Sequence, residues 1–332
     1  MNTQTQLVAH GLLAGDAASA MNAEFQVYGV PARRLSRLRA LSKLSDDDNT
    51  TNIPRPFVHA SPPALLHPAP AEASEWFAYA LWQHTQFSSR EERLANWQDL
   101  AGLEPSIKTR IGLRSALTNL NRGLTAPQSG NDNPHYFDDL AMPRAVAVAV
   151  THSDDATLLD AVRADAEITH GRDGVWCAQA TAVLIRHLLN GASAMSAVQQ
   201  ATAVLPEGTW SRRLAEESLS AAAETSGGLQ RALVLSTKIG DWIYSYPVAA
   251  PETFAFLLAH VAQAGSAEDL LLGALAQPRN GAVLAALAGA AAAAMFGTGW
   301  APAALDAGAA VLKGHSLPTL QGKTLAEITA TR

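Results

Sequence analysis

His152, Ser153, Asp154 and Asp155 stand in a row, and an imidazole beside a hydroxyl and two carboxylates has the donors to bind a metal or pass a proton. Read locally, the same run is a helix start, because a serine or aspartate ahead of an apolar-periodic stretch is the ordinary N-cap signal; we prefer that reading. Arg33, Arg34, Arg37 and Arg39 offer guanidinium forks that grip phosphate, yet charge runs of this kind are more often a solvated helix face. Trp76, Tyr79, Trp82 and Trp97 present ring faces on which a planar ligand could stack, but aromatic residues at helical spacing are more often core. Tyr244 and Tyr246, in a Pro-bounded loop, are the better stacking candidates. The glycine-rich dinucleotide motif, the P-loop and the HExxH zinc motif are all missing, which argues against P-loop hydrolysis and zinc proteolysis. Cys177 is the only cysteine, so an intrachain disulfide and a multi-cysteine zinc site are excluded, and a reducing, cytoplasmic setting is expected.

The elements that must position such residues are helices. Apolar residues recur at helical spacing over Gln6–Glu24, interrupted by Gly11 and Gly15, which allow a backbone or ligand to approach closely. Residues 42–73 are rich in Asp, Asn and Pro and predict a long surface loop of the kind that often covers a site. Helices are expected over Glu72–Gln86, Ser89–Leu100 and Pro105–Leu120, then a loop over Thr125–Asp139. Further helices are expected over 154–168, 176–189, 194–204, 211–224, 228–236, 252–264, 267–277, 282–296 and 303–312. Strand alternation is essentially absent, so the fold class is all-α, a compact orthogonal helical bundle, and residues 1–332 are expected to form a single domain. Hydrophobic residues make up 48% of the chain and charged residues 16%, enough for a large core. A net charge of −6 argues against a nucleic-acid partner. The N-terminus lacks the basic leader of a secretory signal, and the apolar run Gly281–Phe296 falls about two residues short of a membrane span, so no membrane association is expected.

Six segments together point to a family. They are GLLAGDAASAMNAEF (Gly11–Phe25), PAEASEWFAYAL (Pro70–Leu81), LAMPRAVAVAV (Leu140–Val150), the stretch Asp160–Gly191 with its corner at Thr169, His170 and Gly171, IYSYPVAAPETFAF (Ile243–Phe256), and QPRNGAVLAALAGAAAAAMFG (Gln277–Gly297). In this order and nearly end to end, the chain resembles the ADP-ribosylglycohydrolases, helical proteins that cleave ADP-ribose from its acceptors with a pair of magnesium ions. The resemblance implies that Glu24 matches a glutamate near the metals. It sets Ala71, Glu72 and Ala73 where the family has Thr-Asp-Asp, and Asn280 and Ala282 where it has two further metal-binding aspartates. It implies a small-residue turn lining the ribose pocket at Leu140–Val150, and contacts to the substrate from Asp16, Met142, Arg144, His170, Tyr244, Ser245, Tyr246 and Asn280.

Magnesium requires hard oxygen ligands, and exchanging Asp for Ala73, Asn280 and Ala282 removes about three negative charges. No cofactor is therefore expected beyond at most one weakly bound magnesium on Glu24, Glu72 and water; the run Asp46–Asp48 reads as solvated loop. The reading placed first is a hydrolase of an N- or O-glycosidic bond in an ADP-ribosyl, nucleotide or ribosyl small molecule, with Glu72 as base and Glu24 and Glu75 in reserve. Two alternatives stand beside it: a pseudoenzyme that binds ADP-ribose or a related nucleotide without turnover, and a structural use of the fold. The oligomeric state is left open.

Overall fold

The structure is a computed structural model that describes residues 1–28 (side chains to residue 19), 72–152, 154–240, 247–301 and 308–330. It is 69% helical. Among the described residues extended pairing is confined to two isolated bridges, Asp138 with Ala249 and Val311 with Thr324. In chain order the helices are α1 (Thr3–Tyr28), α2 (Glu72–Gln86), α3 (Arg90–Ala101), α4 (Ile111–Asn121), α5 (Gln128–Asn131), α6 (Ala141–Ala149), α7 (Asp155–Ala166) and α8 (Asp173–Leu189). Then follow α9 (Ala194–Val204), α10 (Trp210–Ala222), α11 (Gly228–Lys238), α12 (Ala250–Gln263), α13 (Ala267–Ala276), α14 (Gly281–Phe296) and α15 (Leu325–Thr329). No described helix is long and apolar enough to cross a membrane.

Helix α14 is alanine-rich and buried almost all round, as expected of a helix without a polar face. Its small side chains let α1 cross it at backbone contact: a Cβ on Gly11 would stand 2.2 Å from the Gly289 carbonyl, and one on Gly15 2.0 Å from that of Ala285. Helices α12 and α6 are buried along nearly their whole length beside this pair. Trp76, Phe77, Tyr79 and Trp97 are core and Trp82 is half-buried against it: Trp76 stacks on Trp97 with ring centroids 5.8 Å apart, and Tyr79 meets Trp97 edge-on at 5.2 Å.

Local sequence explains many of the helix starts. Ser89 and Thr324 form capping boxes with Glu92 and Glu327, while Asp154, Ser193, Thr209 and Ser266 each accept an N–H three residues on. Of the run 152–155, Asp154 caps α7 and Asp155 begins it, while Ser153 lies outside the described residues.

Four expectations need correction. The stretch Leu140–Val150 is no turn but helix α6, begun at Leu140. The expected helix Pro105–Leu120 is broken: Pro105 opens a short 3₁₀ turn, Glu104–Ser106, and α4 starts only at Ile111, because proline supports a first turn and not what precedes it. The loop Thr125–Asp139 contains the single turn α5. Of the helix expected at 303–312, residues 308–312 are turn and bridge. The long loop at 42–73, with the Asp46–Asp48 run, lies outside the described residues up to residue 71, as does the arginine cluster at 33–39.

Candidate functional site

Glu72 is the first residue of α2 and keeps 22% of its side chain open. Its two oxygens are held by the segment ahead of α4: the Thr109 hydroxyl donates to Oε1 at 3.0 Å, and Arg110 Nε donates to Oε2 at 2.9 Å. The break after Pro105 is what presents these two side chains, since an unbroken helix through 107–110 would carry them on different faces.

Arg110 extends the cluster. Its NH1 forms a short hydrogen bond with Asp139 Oδ1 and lies 3.5 Å from Asp138 Oδ1. The two aspartates sit in the turn before α6, tied to the start of α12 by Asp139 N–H donating to the Val248 carbonyl at 2.9 Å and Ala250 N–H donating to that of Phe137 at 2.7 Å. Thr253, on the first turn of α12, donates to Asp139 Oδ2 at 2.7 Å. Asn280 Nδ2 donates in turn to the Thr253 hydroxyl at 2.7 Å and to the Ala249 carbonyl at 3.2 Å. A continuous polar path therefore runs from the start of α2, through the starts of α4, α6 and α12, to that of α14. Arg110, Leu140, Ala249 and Asn280, which begin these last four helices, make no capping hydrogen bond with their own side chains. Their N-terminal dipoles favour negative charge at the point where they meet.

Charge within the cluster is unevenly shared. Side-chain exposure falls from 13% at Arg110 to 1% at Asp139 and 0% at Asp138. Burial pushes the Asp139 carboxyl up to about 7, the pull of Arg110 being opposed by Asp138 beside it. Burial pushes Asp138 up as well, but Arg110, then His170 and the Leu140 N–H, outweigh it and hold that carboxyl below the usual range. Burial works against the charge on Arg110, yet Asp139, Glu72 and Asp138 hold its guanidinium firmly protonated.

His170 reaches the cluster from the other side. The Thr169 hydroxyl accepts from Arg144 NH2 at 2.9 Å, which directs its own proton to His170 Nδ1 at 2.7 Å. By this network the imidazole proton is assigned to Nε2, which faces Asp138 Oδ1 at 3.9 Å without a hydrogen-bond partner. Burial keeps the ring below its ordinary pKa, hence neutral, against the pull of Asp138. The corner is packed hard: a Cβ on Gly130 would stand 2.4 Å from the His170 carbonyl, and Arg172 adopts φ 42°.

The other residues singled out in the sequence fall as follows. Asp16 Oδ2 accepts the Ser74 N–H at 2.9 Å and its hydroxyl at 2.5 Å, joining α1 to the first turn of α2. Glu24 is on the last turns of α1, its side chain outside the described residues, and Tyr244, Ser245 and Tyr246 also lie outside them. Met142 is buried in the hydrophobic core. Arg144 is fully buried against Asp165, 2.8 Å away, and meets the cluster only through Thr169 and His170. Asn280 begins α14 at φ 59°, a left-handed conformation that asparagine tolerates. Glu75, the near neighbour of Glu72, accepts three backbone N–H groups at residues 315–317 and is committed to that loop.

The positions where magnesium would be held do not fit it. Ala73 and Ala282 bring no side-chain oxygen, Asn280 donates its Nδ2 to Thr253 and Ala249 and has only a neutral, buried amide oxygen to offer, and Glu72 shares the Arg110 guanidinium with Asp138 and Asp139. Among the described residues no three His, Cys, Asp or Glu side chains are arranged to hold a metal. Thr109, Arg110, Asp138, Asp139 and Thr253 were not expected at the site. A groove of about 590 Å³ between α2, α3 and the C-terminal segment shares no residue with the cluster, and its charged groups, Asp99, Lys323 and Glu327, are exposed.

No curated protein matches the chain in sequence. Among solved structures, one described as an ADP-ribosylglycohydrolase-related protein complex is similar in fold, with a TM-score of 0.54 at 17% identity over 99% of this chain and 96% of that one. The family model for ADP-ribosylglycohydrolase matches residues 11–329, and the chain therefore belongs to the ADP-ribosylglycohydrolase family, a family of glycoside-cleaving hydrolases.

Proposed function

We propose that this chain hydrolyses an N- or O-glycosidic bond at the anomeric carbon of an ADP-ribosyl, nucleotide or ribosyl small molecule, with little or no dependence on a metal. The observation that carries the reading is the pairing of two unlike carboxyl groups on one guanidinium. Glu72 is partly open to solvent and fixed by Thr109 and Arg110, while Asp139 is buried and retains its proton to near neutrality. Carboxyl groups whose surroundings set them apart in this way are the usual parts of an acid–base pair. In this scheme Glu72 takes a proton from the water whose oxygen attacks the anomeric carbon, and the bond to the departing nitrogen or oxygen breaks as that atom takes the proton held by Asp139. Asp138, His170 and Asn280 face the sugar hydroxyls. The lone buried Cys177 supports a cytoplasmic setting.

Glu72→Gln tests the reading. Turnover of a ribosyl substrate is expected to fall by about 10² to 10⁴ with affinity nearly unchanged, and unchanged turnover would remove Glu72 as base. A second reading, binding without turnover, is favoured by one observation: both Glu72 oxygens already accept hydrogen bonds. Wild-type protein that binds these ligands and cleaves none of them would establish it.

A further inference from the structure

Three carboxylates meet in this cluster, and two of them, Asp138 and Asp139, are closed off from water. Whatever negative charge these two carry is buried, and a buried charge costs several kcal/mol unless a partner is supplied. The neighbouring cations are already committed: Arg144 to Asp165 and Arg279 to Glu252, at 2.8 and 3.0 Å, while His170 is neutral. Arg110 alone, among the described residues, touches all three carboxylates. It does so from the start of α4, where the helix dipole disfavours a cation, so the carboxylates are what hold it there. Asp138 Oδ2 is buried and without a hydrogen-bond partner, a lone pair left over once the guanidinium is seated.

Resting on the reading of this cluster as the active centre, we infer that Arg110 is the resident cation of the carboxylate centre, filling with its guanidinium the place a divalent ion would need and so closing the site to metals. A guanidinium reaches several carboxylates through separate nitrogens and is never deprotonated at working pH. It offers hydrogen bonds but no open coordination position, so a ligand here meets donors and acceptors, as the hydroxyls of a sugar diol require. Removing Arg110 leaves Asp138, Asp139 and the partly open Glu72 without a counter-ion; their oxygens, not arranged around a metal while Arg110 spaces them, are then free to close on a hard divalent cation.

The test uses Mn²⁺ as probe on the full chain, read by the paramagnetic signal of free Mn²⁺ and by thermal unfolding. Wild type is expected to leave millimolar Mn²⁺ free and to unfold at the same temperature with Mn²⁺ or with a chelator. Arg110→Gln is expected to unfold at a lower temperature, to take up Mn²⁺, and to regain stability as it does so. Arg110→Lys, which keeps a cation, is expected to stay blind to Mn²⁺. If Arg110→Gln does not fold alone, Mn²⁺ is expected to restore its helical circular dichroism. The inference is overturned if wild type takes up Mn²⁺ and Glu72→Gln abolishes the uptake. It is equally overturned if Arg110→Gln, folded or not, gains neither Mn²⁺ nor stability from it. None of these readouts involves turnover, so a failure of the hydrolase reading and a failure of this one are separable.

Discussion

At the scale of single residues, Asp139 gives the cluster its dependence on pH. Its folded-state pKa stands near 7, against an ordinary value near 4 in the unfolded chain. Between those two values the folded protein holds a proton that the unfolded chain has released, so Asp139 contributes stability at low pH that is lost as pH rises through about 7. Asp139→Asn removes this dependence while keeping an amide oxygen for Thr253. The difference in unfolding temperature, wild type minus variant, is therefore expected to fall steadily from pH 4 to pH 7 and to level off above it. A difference that is flat, or that rises, would show that Asp139 ionises normally. Sequence reading found Glu72 and Asn280 by their place in family-like segments, and both stand on the polar path seen here. It missed Arg110 and the Asp138–Asp139 pair for a physical reason: one was assigned to a helix interior and the other to the end of a loop. They come together only when two chain breaks are folded onto each other. The doublet of aspartates just ahead of an apolar helical run was the one local sign.

At the scale of elements, periodicity located Glu72–Gln86 and Ala194–Val204 at the bounds the structure has, because capping residues and proline or glycine breaks mark those ends. It failed at 105–110, where the expected helix is interrupted; the turn at 140–150 was implied by the resemblance, and helix α6 stands there instead. The α1–α14 crossing shows what spacing alone could suggest and only packing can quantify. Gly11 and Gly15 were expected to permit a close approach, and the partner proves to be the alanine-rich helix that carries Asn280 at its start. A methyl group added to Gly15 would meet the Ala285 carbonyl at 2.0 Å, a backbone atom that cannot swing aside. Gly15→Ala should consequently destabilise the protein by about 1–3 kcal/mol in urea unfolding, the clash outweighing the better helix propensity of alanine. Gly265→Ala, where a Cβ meets nothing within 4 Å, should change stability by less than about 0.5 kcal/mol. Equal midpoints for the two variants would mean that the crossing relaxes freely.

At the scale of the whole molecule, the candidate site is assembled from residues 72, 109–110, 138–139, 170, 253 and 280, which stand far apart in sequence and meet only in the folded chain. A ligand that needs this meeting of helix starts binds the native state and finds no equivalent in the unfolded chain, so occupancy must raise stability by mass action. Free ligand at one hundred times its dissociation constant contributes about 2.7 kcal/mol, which for a protein of this size is a rise of roughly 4 °C in unfolding temperature. ADP-ribose is the probe to use first, followed by a nucleotide and a nucleoside. The shift is expected to be the same with magnesium and with a chelator, because Arg110 already supplies the positive charge among the carboxylates. Glu72→Gln is expected to keep the shift, since the change removes a base and leaves the other groups of the cluster in place. A shift that appears only with magnesium would return the metal to the site. No shift with any of the three compounds would remove both the hydrolase and the binding reading, and leave structural use of the fold.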